Sequence, residues 1–140
     1  MELAQIVAVS LLAVFIFAVS TALHEIAHIL MCKFVNCRII GWKILFINYD
    51  GEKVAFKLRG RNHCAFITGN KRQMRLIVLA GPIVELFIFA ITLIAAPYQE
   101  VAWIRVGLYL SSILIGLSVV YNLLPLSNGD GKILFGKDGT

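Results

Sequence analysis

Two histidines and a glutamate in the first apolar stretch carry the clearest chemical pattern of the chain. The residues His24-Glu25-Ile26-Ala27-His28 match the pattern H-E-x-x-H. Residues four apart project from one helical face, so both imidazoles can bind one zinc ion while Glu25 lies beside a zinc-bound water. The His and Glu content of the chain gives roughly 0.002 such matches by chance. The pattern therefore predicts a helical zinc site, either catalytic or structural.

Two histidines are too few for such a site, because a catalytic zinc ion usually has three protein ligands. The candidates for the third ligand are His63, Cys32, Glu85 and Asp130. Cys32 shares the helical face of His24 but lies about 12 Å farther along the axis, so we expect it to pack in the core. His63 belongs to a basic segment and is expected to be solvated or packed.

Asp130 is the favoured third ligand for a topological reason. It follows the third apolar stretch, on the side of the membrane that His24 and His28 approach, so one bend of the chain returns it to the metal. Pro125 cannot continue a regular helix, and the glycines on either side of Asp130 permit unusual backbone angles. We therefore expect residues 127–132 to form a loop that carries the metal ligand.

The elements that must position these residues are membrane helices. Hydrophobic residues make up 59% of the 140 residues and charged residues 15%, and the mean hydropathy is +0.84. A bilayer crossing needs about 20 mostly apolar residues, and three stretches reach that length. The sequence predicts one domain over residues 1–140, mainly α and polytopic, with transmembrane helices at 3–33, 74–96 and 102–126. The first stretch is too long for a signal peptide and lacks a basic region before it.

The distribution of charge predicts the orientation of these helices. Of 13 Lys and Arg residues, ten lie between Lys33 and Arg75. By the positive-inside rule this loop and the C-terminus are cytoplasmic, the N-terminus is outside, and the cell membrane is the expected location. The concentrated charge argues against nucleic-acid binding. The three cysteines are odd in number and lie in or beside the cytoplasmic part, so we expect reduced thiols.

One segment between the first two helices has the pattern of strands. An apolar run from residue 38 leads to Asp50-Gly51, a preferred tight-turn pair, and apolar residues then alternate up to Leu58. The sequence predicts a β-hairpin over 38–58, followed by a basic loop over 59–72, so that hairpin and loop together occupy 38–73.

The motifs together resemble the site-2 protease family. The matching residues are His24, Glu25, His28, Asn122, Pro125, Asp130 and Gly131, with Ala80-Gly81-Pro82 resembling a small-residue motif of the family. The resemblance implies a three-helix core over nearly the whole chain, zinc held by two histidines and an aspartate, and proteolysis within the membrane. It also implies a β-structured segment between the first two core helices. Glu85, where the family often has Asn, and Lys132, where a second Gly is common, depart from the pattern.

The residues suggest roles in hydrolysis. Glu25 would take a proton from water and return it to the leaving amine. Asn122 would donate a hydrogen bond to the substrate or the developing oxyanion, or else satisfy local backbone at the helix end. Glu85 lies at about the depth of Glu25, so it either faces the zinc cavity and contacts substrate or bonds to a neighbouring helix.

The expected partners follow from this interpretation. They are the lipid bilayer and a substrate that is a single-span membrane protein or a membrane-bound peptide, while homo-oligomers stay open. An extended substrate segment could pair with an edge of the hairpin. The alternative from another class is a catalytically silent, zinc-containing membrane adaptor, and a transporter or zinc sensor is a weaker alternative because three helices leave little room for a path.

Overall fold

The computed structural model describes residues 2–58, 60, 62–125 and 130–135. The long helices are α1 (Leu3–Phe34), α2 (Lys71–Ala95) and α3 (Ala102–Leu123). Four strands follow α1, namely β1 (Arg38–Ile44), β2 (Ile47–Tyr49), β3 (Val54–Phe56) and β4 (His63–Ile67). A 3₁₀ turn (Ala96–Tyr98) precedes α3, and the short helix α4 (Asp130–Phe135) comes last. The described part is thus mainly helical, with a small sheet between α1 and α2.

The first helix is uninterrupted because no Gly or Pro occurs between its ends. It ends where Asn36 adopts a left-handed φ of 55° and the Cys37 N–H donates to the Cys32 carbonyl at 2.8 Å, as in a common helix C-cap. The buried side chains of α1 share one stripe, which comprises Val9, Ala13, Ser20, His24, Glu25, His28 and Cys32. Ionisable side chains therefore face inwards.

The outward faces of the long helices are apolar. Exposed positions include Leu11 and Phe15 on α1, Phe87 on α2 and Leu117 on α3. Each of these three helices packs against the other two, and all three are long and apolar enough to cross a membrane. An apolar exterior around a polar interior is the arrangement that lipid favours. The structure is therefore compatible with a membrane protein.

The predicted hairpin is in fact part of a four-stranded antiparallel sheet of order β3-β2-β1-β4. The turn at Asp50-Gly51 joins β2 to β3, with Gly51 at a φ of 97°, as the turn pair predicts. The prediction was wrong about the long first strand, because the chain already turns at Leu45, which has a φ of 52°. It was also wrong about the basic loop, which contains β4, paired with β1 from Arg38↔Ile67 to Lys43↔His63.

The observed helix ends differ from the predicted ones by a few residues. The second helix begins at Lys71 because the Asn70 side chain accepts a hydrogen bond from the Arg72 N–H at 2.9 Å and thus caps it. The third helix ends at Leu123 because Leu124, which precedes Pro125, is extended with ψ 143°. Residue 126 of the predicted third helix and residues 127–129 of the predicted ligand loop lie outside the described residues. Asp130, expected in that loop, begins α4.

Candidate metal centre

Three side chains from the two ends of the chain meet at the inner side of α1. The Nε2 atoms of His24 and His28 are 2.9 Å apart, and Asp130 Oδ2 lies 3.1 Å from the first and 3.3 Å from the second. All three ligand atoms fall within 4.8 Å of one another. Both histidines are buried and Asp130 is partly buried. This group can hold a metal ion.

The hydrogen bonds of the other ring nitrogens decide which atoms face the centre. His28 Nδ1 lies 2.7 Å from the Ile77 carbonyl oxygen, which can only accept, so Nδ1 carries the proton and Nε2 has a free lone pair. The backbone of α2 therefore orients one imidazole.

The second imidazole faces a carboxylate. His24 Nδ1 lies 3.3 Å from Glu85 Oε2, although the two groups are not aligned as a hydrogen bond. Without a metal, a proton on Nε2 of His24 can be donated to Asp130 Oδ2 at 3.1 Å. The Glu85 anion beside Nδ1 stabilises a proton on that nitrogen instead, and in that tautomer Nε2 of His24 is a bare acceptor like that of His28. Two imidazole lone pairs and a carboxylate oxygen then converge without a donor among them. A cation satisfies all three, and histidine nitrogen with carboxylate oxygen suits zinc.

Glycines keep space for this convergence. A Cβ on Gly81 of α2 would lie 2.5 Å from His24 Nε2 and 2.6 Å from His28 Nε2. A Cβ on Gly131 would collide with the carbonyl oxygens of Leu123 and Leu124 at the end of α3. The small-residue motif of α2 and the Asp-Gly pair of α4 thus have steric reasons to contain glycine.

The centre borders a cavity of about 160 Å³. Its lining comprises His24, Glu25, His28, Asn62, His63, Cys64, Phe66, Val78, Asn122, Asp130 and Ile133. Because a water molecule occupies about 30 Å³ of liquid, the cavity has room for several. Glu25 is 8% exposed and shares this cavity with the three ligand atoms. The arrangement allows a carboxylate to exchange protons with water beside a metal.

The other candidate residues lie in different surroundings. His63 lines the cavity but does not belong to the metal-binding group. Cys32 is fully buried, in contact with the Cys64 thiol. Asn122 lines the cavity and donates to Glu85 Oε2 at 3.1 Å. The expectation that Glu85 faces the cavity is corrected, because its side chain is 1% exposed and lies behind the ring of His24.

Two groups of the cavity wall that lie outside the long helices have shifted pKa values. In the metal-free protein, burial raises the pKa of Asp130, but hydrogen bonds from His24 and His28 and the positive charge of their protonated rings outweigh burial and lower it to about 2. The pKa of the Cys64 thiol is raised to about 12, mainly by burial and also by nearby negative charge. Asp130 therefore faces the imidazoles as an anion over the physiological pH range, and Cys64 is protonated.

Sequence reasoning missed the contribution of the sheet. Strand β4 forms one wall of the cavity through His63, Cys64 and Phe66, yet its five residues give too short a pattern to separate strand from loop. The group that orients His28 is the backbone carbonyl of Ile77, so no residue type in the sequence indicates this contact. The small-residue motif Ala80-Gly81-Pro82 was the available signal for close approach of α2.

Comparison with protein-family models, curated proteins and solved structures finds no match.

Proposed function

We propose that this chain is an intramembrane zinc metalloprotease of the site-2 protease type. The observation that carries the proposal is the convergence of His24, His28 and Asp130 on a cavity shared with Glu25, inside helices apolar enough to cross a membrane. A structural zinc site is normally closed by four protein ligands, whereas a catalytic one leaves a position open. Three ligand atoms beside a wet cavity fit the catalytic kind.

The residues around the cavity have different proposed roles in hydrolysis. His24, His28 and Asp130 would hold zinc, which polarises a carbonyl and lowers the pKa of water towards about 7. Glu25 accepts a proton from the attacking water and donates it to the leaving amine. Asn122 lies on the cavity wall, where an amide N–H can donate to a substrate carbonyl.

The substrate class follows from the surroundings of the cavity. Its walls belong to the apolar helices and to β4, an end strand of the described sheet. A transmembrane helix hides its peptide bonds in its own hydrogen bonds, so it must open before hydrolysis. An extended segment can then pair with a strand edge. The proposed substrates are single-span membrane proteins or membrane-bound peptides, and the proposed location is the cell membrane with the basic loop in the cytoplasm.

In the alternative, the chain is a membrane adaptor that binds zinc without cleaving a substrate. An adaptor has no need for a carboxylate in the cavity, and burying Glu25 within a membrane helix costs about 2.5–3.5 kcal/mol even on the lenient insertion scale. A carboxylate that is retained beside the metal group at this cost favours the enzyme.

The test is a cleavage assay with the detergent-purified protein and a panel of tagged single-span membrane proteins. We expect about one zinc per chain, cleavage that a chelator stops, and a loss of about 10²–10⁴-fold in rate for Glu25→Gln with zinc retained. Glu100→Gln, which removes an exposed carboxylate between α2 and α3, is the matched control and should cleave normally. Full activity of Glu25→Gln contradicts the mechanism. Stoichiometric zinc in a His24→Ala, His28→Ala double variant contradicts the site.

A further inference from the structure

Glu85 is a buried carboxylate for which hydrolysis has no direct use. It lies in the middle of α2, is 1% exposed and does not line the cavity. A charge at the membrane centre is costly and usually pairs with another polar group. The contacts of Glu85 therefore indicate why it is tolerated.

The two carboxylate oxygens of Glu85 have different partners. Oε1 accepts from the Ser118 hydroxyl at 2.9 Å. Oε2 accepts from the Asn122 side-chain amide at 3.1 Å and lies 3.3 Å from His24 Nδ1. Two donors of α3 thus hold the carboxylate against the rear of the His24 ring, on the side opposite the metal-binding nitrogen.

We propose that Glu85 is a positioning residue whose carboxylate faces His24 Nδ1 at 3.3 Å and supplies a negative charge to the metal centre. The inference rests on the metal site of the proposed function and deepens it. The carboxylate fixes the ring tautomer so that Nε2 faces the metal, and it raises the basicity of that nitrogen. The Ile77 carbonyl does the same for His28 as an uncharged dipole.

Charge balance gives Glu85 a second role. Two neutral histidines and the Asp130 anion leave a divalent cation with one positive charge uncompensated. Glu25 exchanges protons in the proposed reaction, whereas Glu85 does not line the cavity and takes no part in proton transfer. Its carboxylate neutralises the loaded centre in a low-dielectric environment, where an unbalanced charge is expensive.

A purely structural role for Glu85, as a clamp between α2 and α3, gives a different expectation. Glutamine at this position can place its amide oxygen towards Asn122 and His24 and its NH₂ towards Ser118, whose hydroxyl can accept as well as donate. Glu85→Gln thus preserves every hydrogen bond and removes only the charge. The clamp predicts unchanged zinc affinity for this variant, and the positioning role predicts weaker zinc binding.

The experiment measures zinc affinity by chelator competition in detergent, together with the visible absorption of the Co²⁺-substituted protein. We expect Glu85→Gln to bind zinc about 10–100-fold more weakly, with altered Co²⁺ bands and an unchanged melting temperature of the metal-free protein. Ser118→Ala, which keeps the charge, should weaken zinc binding less than Glu85→Gln. Glu100→Gln should have no effect.

The outcomes separate this inference from the proposed function. Wild-type zinc affinity and Co²⁺ spectrum in Glu85→Gln would overturn the positioning role, as would a loss in Ser118→Ala equal to that in Glu85→Gln. Glu85→Leu removes both charge and hydrogen bonds and should bind zinc more weakly still. These measurements need no substrate. A chain that binds zinc through Glu85 but cleaves nothing would refute the protease and retain the inference.

Discussion

Buried polar side chains occur at both ends of the three-helix bundle, but their partners differ. Far from the metal group, Ser111 donates to the Gly107 carbonyl at 2.7 Å, and Thr92 donates to the Ile88 carbonyl at 3.0 Å, both four residues earlier in the same helix. These hydroxyls have an acceptor in their own helix, even where Thr92 also accepts from Ser112 of α3. Near the metal group, Glu85 bonds Ser118 of another helix, and His28 bonds the backbone of α2.

The difference separates polar side chains that stabilise single helices from polar side chains that position the metal-binding residues. A hydroxyl with a carbonyl of its own helix loses little when a neighbouring helix moves, because its hydrogen bond moves with it. An imidazole or carboxylate whose partners all belong to other helices depends on the tertiary structure. Mutations at the metal end should therefore alter metal binding, whereas equivalent mutations at the far end should alter stability alone.

The largest expected effect comes from one methyl group. Gly81→Ala places a Cβ within 2.6 Å of both Nε2 atoms, so we expect zinc binding to be lost. Gly107→Ala is the matched change at the far end, because its Cβ would meet the flexible Cδ2 of Leu12 at 2.8 Å. That variant should lose about 1–3 kcal/mol of stability and keep its zinc. Metal analysis and thermal unfolding of both proteins test the pair, and wild-type zinc affinity in Gly81→Ala would contradict the steric argument.

An intermediate effect is expected at Cys64, a residue of the sheet that lines the same cavity as the three metal-binding residues. Its pKa is raised to about 12, mainly by burial, so at pH 8 its thiolate fraction should be about a thousandfold below that of an ordinary thiol. Alkylation of the folded, metal-free protein by iodoacetamide should be correspondingly slow and should accelerate up to about pH 12. The same peptide alkylated in the unfolded chain provides the reference rate, measured by mass spectrometry. Equal rates in the two states would refute the shift.

The smallest effect is expected at the far end. The Ser112 hydroxyl has one proton and two acceptors within reach, the Thr92 hydroxyl of α2 at 2.9 Å and the Leu108 carbonyl of its own helix at 2.9 Å. Hydrogen bonds between membrane helices contribute about 0.6 kcal/mol on average, so Ser112→Ala should be destabilised by about that amount and bind zinc normally. Unfolding in mixed detergent measures the difference, with Ser118→Ala as its counterpart at the metal end. Weaker zinc binding in Ser112→Ala would break the distinction between the two ends.

Hydropathy and turn chemistry were sufficient for most of the fold. The long apolar runs predicted the three helices, and Asp50-Gly51 predicted the turn between β2 and β3. Strand β4 could not be predicted because its pairing with β1 is a contact at a distance in sequence. The early turn at Leu45 depends on a left-handed backbone angle that leucine rarely adopts.

The candidate site was partly predictable for a similar reason. Helical spacing alone relates His24 to His28, and Asp130 was expected near them because it follows α3 at the same end of the bundle. Glu85 was expected at about the level of Glu25 along the bundle, and its contact with His24, the neighbour of Glu25, agrees with that expectation. The direction in which the Glu85 side chain points depends on the rotation of α2 about its own axis. That rotation is set by packing around Gly81, and counting residues along the sequence does not give it.

The ligand set of the metal group also has a consequence for biogenesis. His24 and Asp130 are 106 residues apart, so a shared cation acts as a cross-link that closes most of the chain into one loop. In chain-entropy terms, a covalent link across about 100 residues stabilises a folded state by about 4.7 kcal/mol, and metal binding is coupled to folding in the same way. Because synthesis runs from the N-terminus, the first helix is complete long before α4 is synthesised. Binding of a cation by all three side chains would therefore be a late event in biogenesis, and a product truncated before Asp130 would lack the third of them.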